Sequence, residues 1–216
     1  VHDAGSGEEN DLSDANFTIN TTSTSSAVSA STNEDTAKTI TLSATDADGQ
    51  SLTYSIVSNP SNGSLGSVSG TSVTYTPTAN WNGTDTFTYK SNDGTADGNT
   101  ATVTVTVAAV NDAPVTINRS DTFGEDDTSI VTIAGATDVE GSSLTYSIVS
   151  NPSNGSLTNF ASGGLNSNQL RYTPNANWNG TDTFTYKAND GTTDSNTSTQ
   201  TIIIQAVNDV PVTAAV

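Results

Sequence analysis

Acidic residues recur in closely spaced pairs, and their types and spacing could do chemistry. The stretch "DADGQSLTYSIVSNPSNGSL" (46–65) returns as "DVEGSSLTYSIVSNPSNGSL" (138–157), and each copy opens on two acids separated by one residue. Asp93 and Asp190 add a carboxylate in the matching phrases "SNDG" and "ANDG". Ca²⁺ takes roughly six to eight oxygen ligands, so clustered carboxylates suit it better than they suit Mg²⁺ or Zn²⁺.

The acids belong to a repeat about as long as a small domain. The phrase "WNGTDTFTYK" begins at Trp81 and again at Trp178, 97 residues apart, and "VNDAP" at Val110 returns as "VNDVP" at Val207. A period near one hundred residues is too long for a solenoid turn and fits a whole small domain. The sequence therefore predicts a tandem pair of domains.

The repeat also suggests where each domain begins. The leading segment "SDANFTIN" (13–20) matches "NDAPVTIN" (111–118), which pairs Asp14 with Asp112. We predict domains at 17–111 and 112–216. Residues 1–16 are then expected to be a linker or tail from an upstream repeat, and the chain an excerpt of a longer one.

Composition limits the classes of function. The 216 residues carry a formal net charge of −18 and contain no cysteine or methionine. Such acidity argues against binding to nucleic acid or to anionic membranes. The lack of cysteine rules out disulfides, and no apolar run approaches the ~18 residues that a membrane helix needs. We expect a monomeric protein with no membrane insertion.

Alternating hydrophobicity predicts an all-β fold. "TDTFTYK" places Phe87 and Tyr89 on one face, and "ATVTVTV" places three valines on one face and three threonines on the other. Asn-Gly, Asn-Pro and Asp-Gly turns separate such segments. Seven short strands in about 95 residues are typical of an immunoglobulin-like Greek-key sandwich. The predicted strands A to G are 17–20, 39–45, 51–58, 63–68, 72–76, 84–90 and 101–108, and "IVTIAGA" suggests a bulge in strand B of the second copy.

This topology sorts the acids between the two poles of each sandwich. The B–C and F–G loops share one pole, where the candidate ligands are Asp46, Asp48 and Asp93 in domain 1 and Asp138, Glu140 and Asp190 in domain 2. The A–B loop and the exit of strand G share the opposite pole, where the candidates are Glu34, Asp35, Asn111 and Asp112 for domain 1 and Glu125, Asp126 and Asp209 for domain 2. Domains stacked end to end as a rod would gather six carboxylates at their junction: Glu34, Asp35, Asp112, Asp138, Glu140 and Asp190.

A cluster of carboxylates is unfavourable without a cation. Two like charges ~4 Å apart repel by about 4 kcal/mol at an effective dielectric constant of ~20. We therefore predict Ca²⁺ at the junction and weaker half-sites at the two outer poles, with Asp14 of the tail contributing to the first. The alternative is that the acids are solvated turn residues, since Asp and Asn favour turns.

The motifs "ATDADG", "FTYKSNDG" and "ATVTVTVAAVNDAP" resemble the cadherin repeat. They are closer still to the cadherin-like tandem repeats of large secreted bacterial adhesins of the RTX type. The resemblance implies calcium held between successive domains by Glu34, Asp112, Asp138, Glu140 and Asp190, with Asn111 assisting. "NWNGTD" stands where the family has an Asp-Arg-Glu segment, so Asn80, Asn82 or Asp85 would have to replace those ligands.

Other chemistry has little support. The single histidine, His2, lies in the leading tail, so neither a catalytic triad nor a zinc site is expected, and we predict no enzyme activity. Trp81 and Trp178 could stack on sugars or cover the core. Lys90 and Lys187 could form isopeptide bonds, but their alternation places them on the exposed threonine face.

Together these features predict a calcium-stiffened extracellular spacer within a bacterial surface adhesin, in contact with neighbouring repeats of its own chain. The alternative is a binding module for polysaccharide or for a like domain on another cell.

Overall fold

A computed structural model describes residues 19–125, 127–133, 135–158 and 168–209. The chain divides into two compact units, Val1–Val110 and Asn111–Val216. All regular secondary structure in the described residues is β-strand, which confirms the all-β prediction. None of the described segments forms a helix long and apolar enough to cross a membrane.

Unit 1 is a sandwich of two sheets. The larger sheet has the order β2-β9-β8-β5, the smaller has the order β3-β7-β6, and β1 pairs with β4. Strand β2 runs parallel to β9, whereas the other ladders are antiparallel. The strands are β1 (Thr24–Ser25), β2 (Val28–Asn33), β3 (Lys38–Thr41), β4 (Ala44–Thr45), β5 (Thr53–Ser58), β6 (Gly63–Leu65), β7 (Ser72–Pro77), β8 (Gly83–Asn92) and β9 (Ala101–Ala108).

Unit 2 repeats this arrangement. Its sheets have the orders β10-β16-β15-β12 and β11-β14-β13, with β10 parallel to β16. A single bridge between Val115 and Thr137 replaces the β1–β4 pair. The strands are β10 (Arg119–Gly124), β11 (Ser129–Thr132), β12 (Thr145–Ser150), β13 (Gly155–Thr158), β14 (Gln169–Pro174), β15 (Gly180–Asn189) and β16 (Ser198–Gln205).

The core of each unit lies between its two sheets. Phe87, Tyr89, Val103 and Val105 are at most 1% exposed, as their alternation predicted. Burying large apolar side chains of this kind is the main favourable term in folding. The paired strands bring the loops between them to the two ends of each sandwich, where the acidic residues lie.

The described part of predicted strand A (17–20) is not a strand, and residues 17 and 18 lie outside the described residues. Ile19 and Asn20 lie outside any strand, and the Ser/Thr-rich segment at 21–32 forms β1 and most of β2. In β2 the half-buried Val28 and Ala30 alternate with exposed serines. The small side chains suit an edge strand, and their low hydrophobicity hides the strand in the sequence.

The ladders also correct the alignment of the two leading segments. Val28 pairs with Val103 and Arg119 pairs with Gln200, so Val28 and Arg119 are equivalent residues. Counting back along the chain puts Asn20 and Thr21, rather than residues 13 and 14, in the positions of Asn111 and Asp112. Asp14 lies outside the described residues.

The extra residue that the phase of "IVTIAGA" predicted in the second copy lies at the end of that stretch, beyond the last residue of β11, rather than as a bulge within the ladder. β11 pairs with β14 in the register that β3 uses with β7, and the additional residue falls after Ile133. The register shifts occur instead on the edge strands β5 and β12, between Ile56 and Ser58 and between Ile148 and Ser150.

Candidate functional site

The leading residues of unit 2 are bonded to the acids at one of its poles. The Asn111 side chain donates a hydrogen bond to Asp190 Oδ2 at 2.8 Å, and the backbone N–H of Asp112 donates to Glu140 Oε2 at 3.2 Å. The N–H groups of Thr192 and Thr193 donate to Asp190 Oδ1, both at 2.6 Å. The loop between β11 and β12 (B–C), the loop between β15 and β16 (F–G) and the leading segment of unit 2 therefore meet, as the topology predicted.

Asp138 is the most informative residue of this pole. Its Oδ1 accepts the backbone N–H of Ser142 at 2.8 Å, whereas its Oδ2 is buried and has no hydrogen-bond partner in the described structure. A buried oxygen left unpaired costs roughly 1–3 kcal/mol, and more when it is charged. A cation at this position would remove that cost.

Unit 1 carries the same arrangement at its own leading pole. Asn20 donates to Asp93 Oδ2 at 3.0 Å, the N–H of Thr21 donates to Asp48 Oδ2 at 2.6 Å, and the N–H of Asp48 donates to Asp46 Oδ1 at 2.9 Å. Two buried oxygens here have no hydrogen-bond partner in the described residues, Asp46 Oδ2 and Asn20 Oδ1. This pole has one carboxylate fewer than its counterpart, because Thr21 stands where unit 2 has Asp112.

Hydrogen bonds keep the F–G loop acids charged. The N–H of Thr193, followed by the amide of Asn111, holds the pKa of Asp190 below its ordinary value of 3.8. The N–H of Ala96, followed by the amide of Asn20, does the same for the pKa of Asp93. Both groups are therefore available as anionic ligands near neutral pH.

These shifts predict an acid-dependent loss of stability. A carboxylate whose folded-state pKa is depressed stabilises the fold fully above its unfolded pKa of 3.8, and that contribution is lost as the pH falls through the folded value. In metal-free buffer, the difference in melting temperature between the parent chain and Asp190→Asn should therefore shrink from about pH 6 to about pH 2. A difference that stays constant over this range would contradict the prediction.

At the opposite pole, glutamates bind the exit of each unit's last strand. Glu34, only 3% exposed, accepts the N–H of Val110 at 2.6 Å, and Glu125, 7% exposed, accepts the N–H of Val207 at 2.8 Å. Asp35 adopts a φ of +55° and accepts the N–H of Asn80 at 3.0 Å.

The remaining predicted ligands are either exposed or outside the described residues. Asp209 is exposed, and Asn82 lies exposed just before β8. Asp126 falls outside the described residues. Nowhere in the described chain do three or more His, Asp or Glu side chains form a ready-made metal cluster. That Glu34 and Asp35 join the acids of unit 2 around one ion stays a prediction.

Asp85 has a different role from the one considered for it. Its carboxylate is 4% exposed and accepts hydrogen bonds from the N–H groups of Ser61, Asn62 and Thr86 and from the Tyr75 hydroxyl, at 2.9–3.1 Å. Burial, followed by the bond to Asp85, raises the pKa of Tyr75 to about 12. Hydrogen bonds within unit 1 already use both oxygens of this carboxylate, which argues against a role as metal ligand.

Asp182 forms the matching set of bonds in unit 2, including 2.9 Å to the Tyr172 hydroxyl. Sequence reasoning missed this buried acid. The only signal was that "SNGS" and "GTDTF" recur together in both copies.

The two tryptophans and the two lysines have structural surroundings. Trp81 and Trp178 are partly buried and pack against the cores of their units, so the packing supports a core role. Lys90 and Lys187 are about one-third exposed and form ion pairs with Asp97 and Asp194 on the same hairpins.

The family follows from comparison with known proteins. A family model described as a bacterial Ig domain matches residues 14–106 and 111–204, which is most of the chain. The chain belongs to the bacterial Ig domain family. A search of curated proteins found no match.

Solved structures show what this bacterial Ig domain pair is similar to. Human protocadherin-24 EC1-2 is 18% identical, with a TM-score of 0.52 over 83% of this chain and 95% of that one. The human desmocollin-1 ectodomain is 16% identical, with a TM-score of 0.40 over 85% and 41%. An endo-fucoidan hydrolase of glycoside hydrolase family 107 is 23% identical, with a TM-score of 0.35 over 84% of this chain but only 28% of its own. At these identities, protocadherin-24 supports the fold alone.

Proposed function

We propose that the two bacterial Ig domains form a calcium-binding segment of an extracellular adhesion or spacer protein. The observation that carries this proposal is the buried, unpartnered Oδ2 of Asp138, with the equivalent oxygen of Asp46. Bacterial Ig-like and cadherin-like domains are typically extracellular, which agrees with a calcium-rich setting and with an acidic, cysteine-free chain. The proposal includes no catalytic role.

The donor set at the leading pole of unit 2 fits calcium. Asp112, Asp138, Glu140 and Asp190 are hard oxygen donors, and Asn111 adds an amide oxygen. Bound calcium would neutralise carboxylates that otherwise repel one another. The residues themselves already hold the leading segment against the pole, through the bonds of Asn111 to Asp190 and of Asp112 to Glu140. An ion would strengthen this attachment, which is how calcium would stiffen a chain of such domains.

The proposal is tested by titration calorimetry with calcium. We expect binding at ~10⁻⁴–10⁻³ M, the range of extracellular modules, and a weaker second site at the pole of unit 1 because Thr21 replaces a carboxylate. Asp138→Asn should weaken the tighter site at least ~tenfold, equivalent to about 1.4 kcal/mol. Asp127→Asn removes the same charge from an exposed residue of unit 2 outside the proposed pole, and should leave the affinity unchanged.

Thermal unfolding in calcium and in chelator tests calcium binding independently of calorimetry. A ligand that binds only the folded state stabilises it by about 2.7 kcal/mol at one hundred times its dissociation constant, so calcium should raise the melting temperature and a chelator should lower it. Magnesium should have much less effect, because it resists dehydration and demands a tight octahedral site. Identical curves in chelator and in millimolar calcium would overturn the proposal.

A further inference from the structure

The F–G loop of each unit begins with the same sequence pattern. Residues 90–97 read "KSNDGTAD" and residues 187–194 read "KANDGTTD", and the candidate ligand, Asp93 or Asp190, stands fourth in each. Both copies also share a lysine, an asparagine, a glycine, a threonine and a closing aspartate. The contacts of these shared residues show how the loop holds its candidate ligand.

In unit 2, the side chain of Asn189 joins the beginning of the loop to its end. Its Oδ1 accepts the N–H of Gly191 and its Nδ2 donates to Asp194 Oδ1, both at 2.8 Å. Asn189 and Asp194 also form an isolated β-bridge. Lys187, at the end of β15, donates to the other carboxylate oxygen, Asp194 Oδ2. Side chains of the pattern itself therefore close the loop at its base.

The hydrogen bonds of Asp190 lie inside this closed segment. The N–H groups of Thr192 and Thr193 donate to Asp190 Oδ1 at 2.6 Å, and the N–H of Asp190 donates to the carbonyl oxygen of Thr193 at 3.3 Å. A loop that Asn189 holds at both ends keeps these N–H groups directed at Oδ1. Oδ2 is then left to face the pole, where it accepts the Asn111 amide.

Unit 1 repeats the same contacts. Asn92 Oδ1 accepts the N–H of Gly94 and Asn92 Nδ2 donates to Asp97 Oδ1, both at 2.8 Å, and Lys90 donates to Asp97 Oδ2. The two N–H groups that follow Gly94 donate to Asp93 Oδ1, each at 2.7 Å. The agreement between the units indicates that the contacts belong to the shared pattern.

These contacts are suited to ordering the loop rather than to stabilising the fold. Lys187 and Asp194 are 35% and 47% exposed, and an ion pair between such side chains adds little to stability. Ordering an exposed loop, however, costs conformational entropy, and a loop that is ordered beforehand loses less of it on binding. Residues that orient metal ligands change metal affinity by roughly 10- to 100-fold when they are mutated.

We propose that a Lys–Asn–Asp cluster in each F–G loop sets the calcium affinity of its pole, by holding the ligand carboxylate in place before the ion binds. This inference rests on the proposed calcium function. The members of the cluster are positioning residues, because they act through Asp190 or Asp93. The cluster consists of Lys187, Asn189 and Asp194 in unit 2 and of Lys90, Asn92 and Asp97 in unit 1.

Calcium titration calorimetry of the whole chain tests the proposal. Asn189→Ala removes both bonds of the central side chain without changing the charge, so it should weaken the tighter site ~tenfold. Asn179→Ala removes an exposed amide just before β15, at the opposite pole of unit 2, and should leave the affinity unchanged. Asn189→Asp combined with Asp194→Asn reverses the amide–carboxylate bond at constant net charge, and should restore most of the affinity.

Amide hydrogen exchange in chelator measures the order of the loop without an ion. Protection of the N–H groups of Thr192 and Thr193 should fall in Asn189→Ala and recover in the double variant. Circular dichroism and the metal-free melting temperature should change little, which separates loop order from global stability.

The outcomes distinguish this inference from the proposed function. Equal calcium affinity in the parent chain and in Asn189→Ala would overturn the inference alone, as would unchanged exchange at Thr192 and Thr193. A double variant that binds as weakly as Asn189→Ala would also contradict it. A parent chain that binds no calcium would overturn the proposed function, and this inference with it.

Discussion

Asp182→Ala is expected to lower the free energy of unfolding of unit 2 by roughly 3–5 kcal/mol, since it leaves several buried donors without partners at about 1–3 kcal/mol each. The lost acceptor serves three backbone N–H groups and the Tyr172 hydroxyl. Water can replace only part of these bonds, because Asp182 is 4% exposed. Chemical denaturation measures the loss.

Two further variants separate the hydrogen bonds from the charge. Asp182→Asn keeps the shape of the side chain, but one carboxylate oxygen becomes an NH₂ group. This NH₂ group would face N–H and O–H donors, so the variant should also be strongly destabilising. Asp194→Ala removes an acid from an ion pair with half-exposed partners, and such pairs contribute at most ~1 kcal/mol. If Asp182→Ala costs no more than Asp194→Ala, the buried carboxylate does not hold the loop as described.

Gly63→Ala is expected to destabilise unit 1 by roughly 2–4 kcal/mol, through overpacking against groups that cannot move. A Cβ at Gly63 would lie 2.5 Å from Cε2 of Tyr75 and 2.8 Å from the backbone oxygen of Thr76. The ring is 0% exposed and its hydroxyl is bonded to Asp85, so it cannot swing aside without losing that bond.

Gly66→Ala is the matched control for this variant. A Cβ there would meet its nearest atoms at 3.7 Å, an ordinary contact, so the substitution should be close to neutral. Thermal unfolding of the two variants gives the comparison. Equal melting temperatures would show that Tyr75 moves away easily and that the close packing of glycine on the ring is not required.

The core and the poles could be predicted from the sequence because both depend on local patterns. Alternation fixed which face of β8 and β9 is buried, and strand order alone placed the B–C and F–G loops at one end. β2 was missed because serine, threonine and alanine suit an edge strand without giving a hydrophobic signal. Its assignment depends on the parallel ladder with β9, a contact between residues about 75 apart in the chain.

The roles of single acids were harder to predict than their positions. Asp85 and Asp93 look alike in the sequence, yet Asp85 bonds the buried Tyr75 hydroxyl and Asp93 lies at the candidate pole, bonded to Asn20. The similarity of "SDAN" to "NDAP" likewise favoured the wrong alignment. Four similar residues are weaker evidence than the six residue pairs by which β2 and β10 each pair with the last strand of their unit. Long-range contacts decide both questions, and a single sequence does not contain them.

The two copies differ in length at one connection more than at any other, and this has a practical consequence. The segment from Leu157 to Gln169 contains five more residues than the equivalent segment from Leu65 to Ser72, yet the strands on either side keep the same pairing. An insertion has thus already been accepted at this position without disturbing the register of the sheet. A fluorophore attachment site or a short peptide tag placed between Gly66 and Gly70 should therefore leave both poles of unit 1 intact, and would make the domain a convenient carrier.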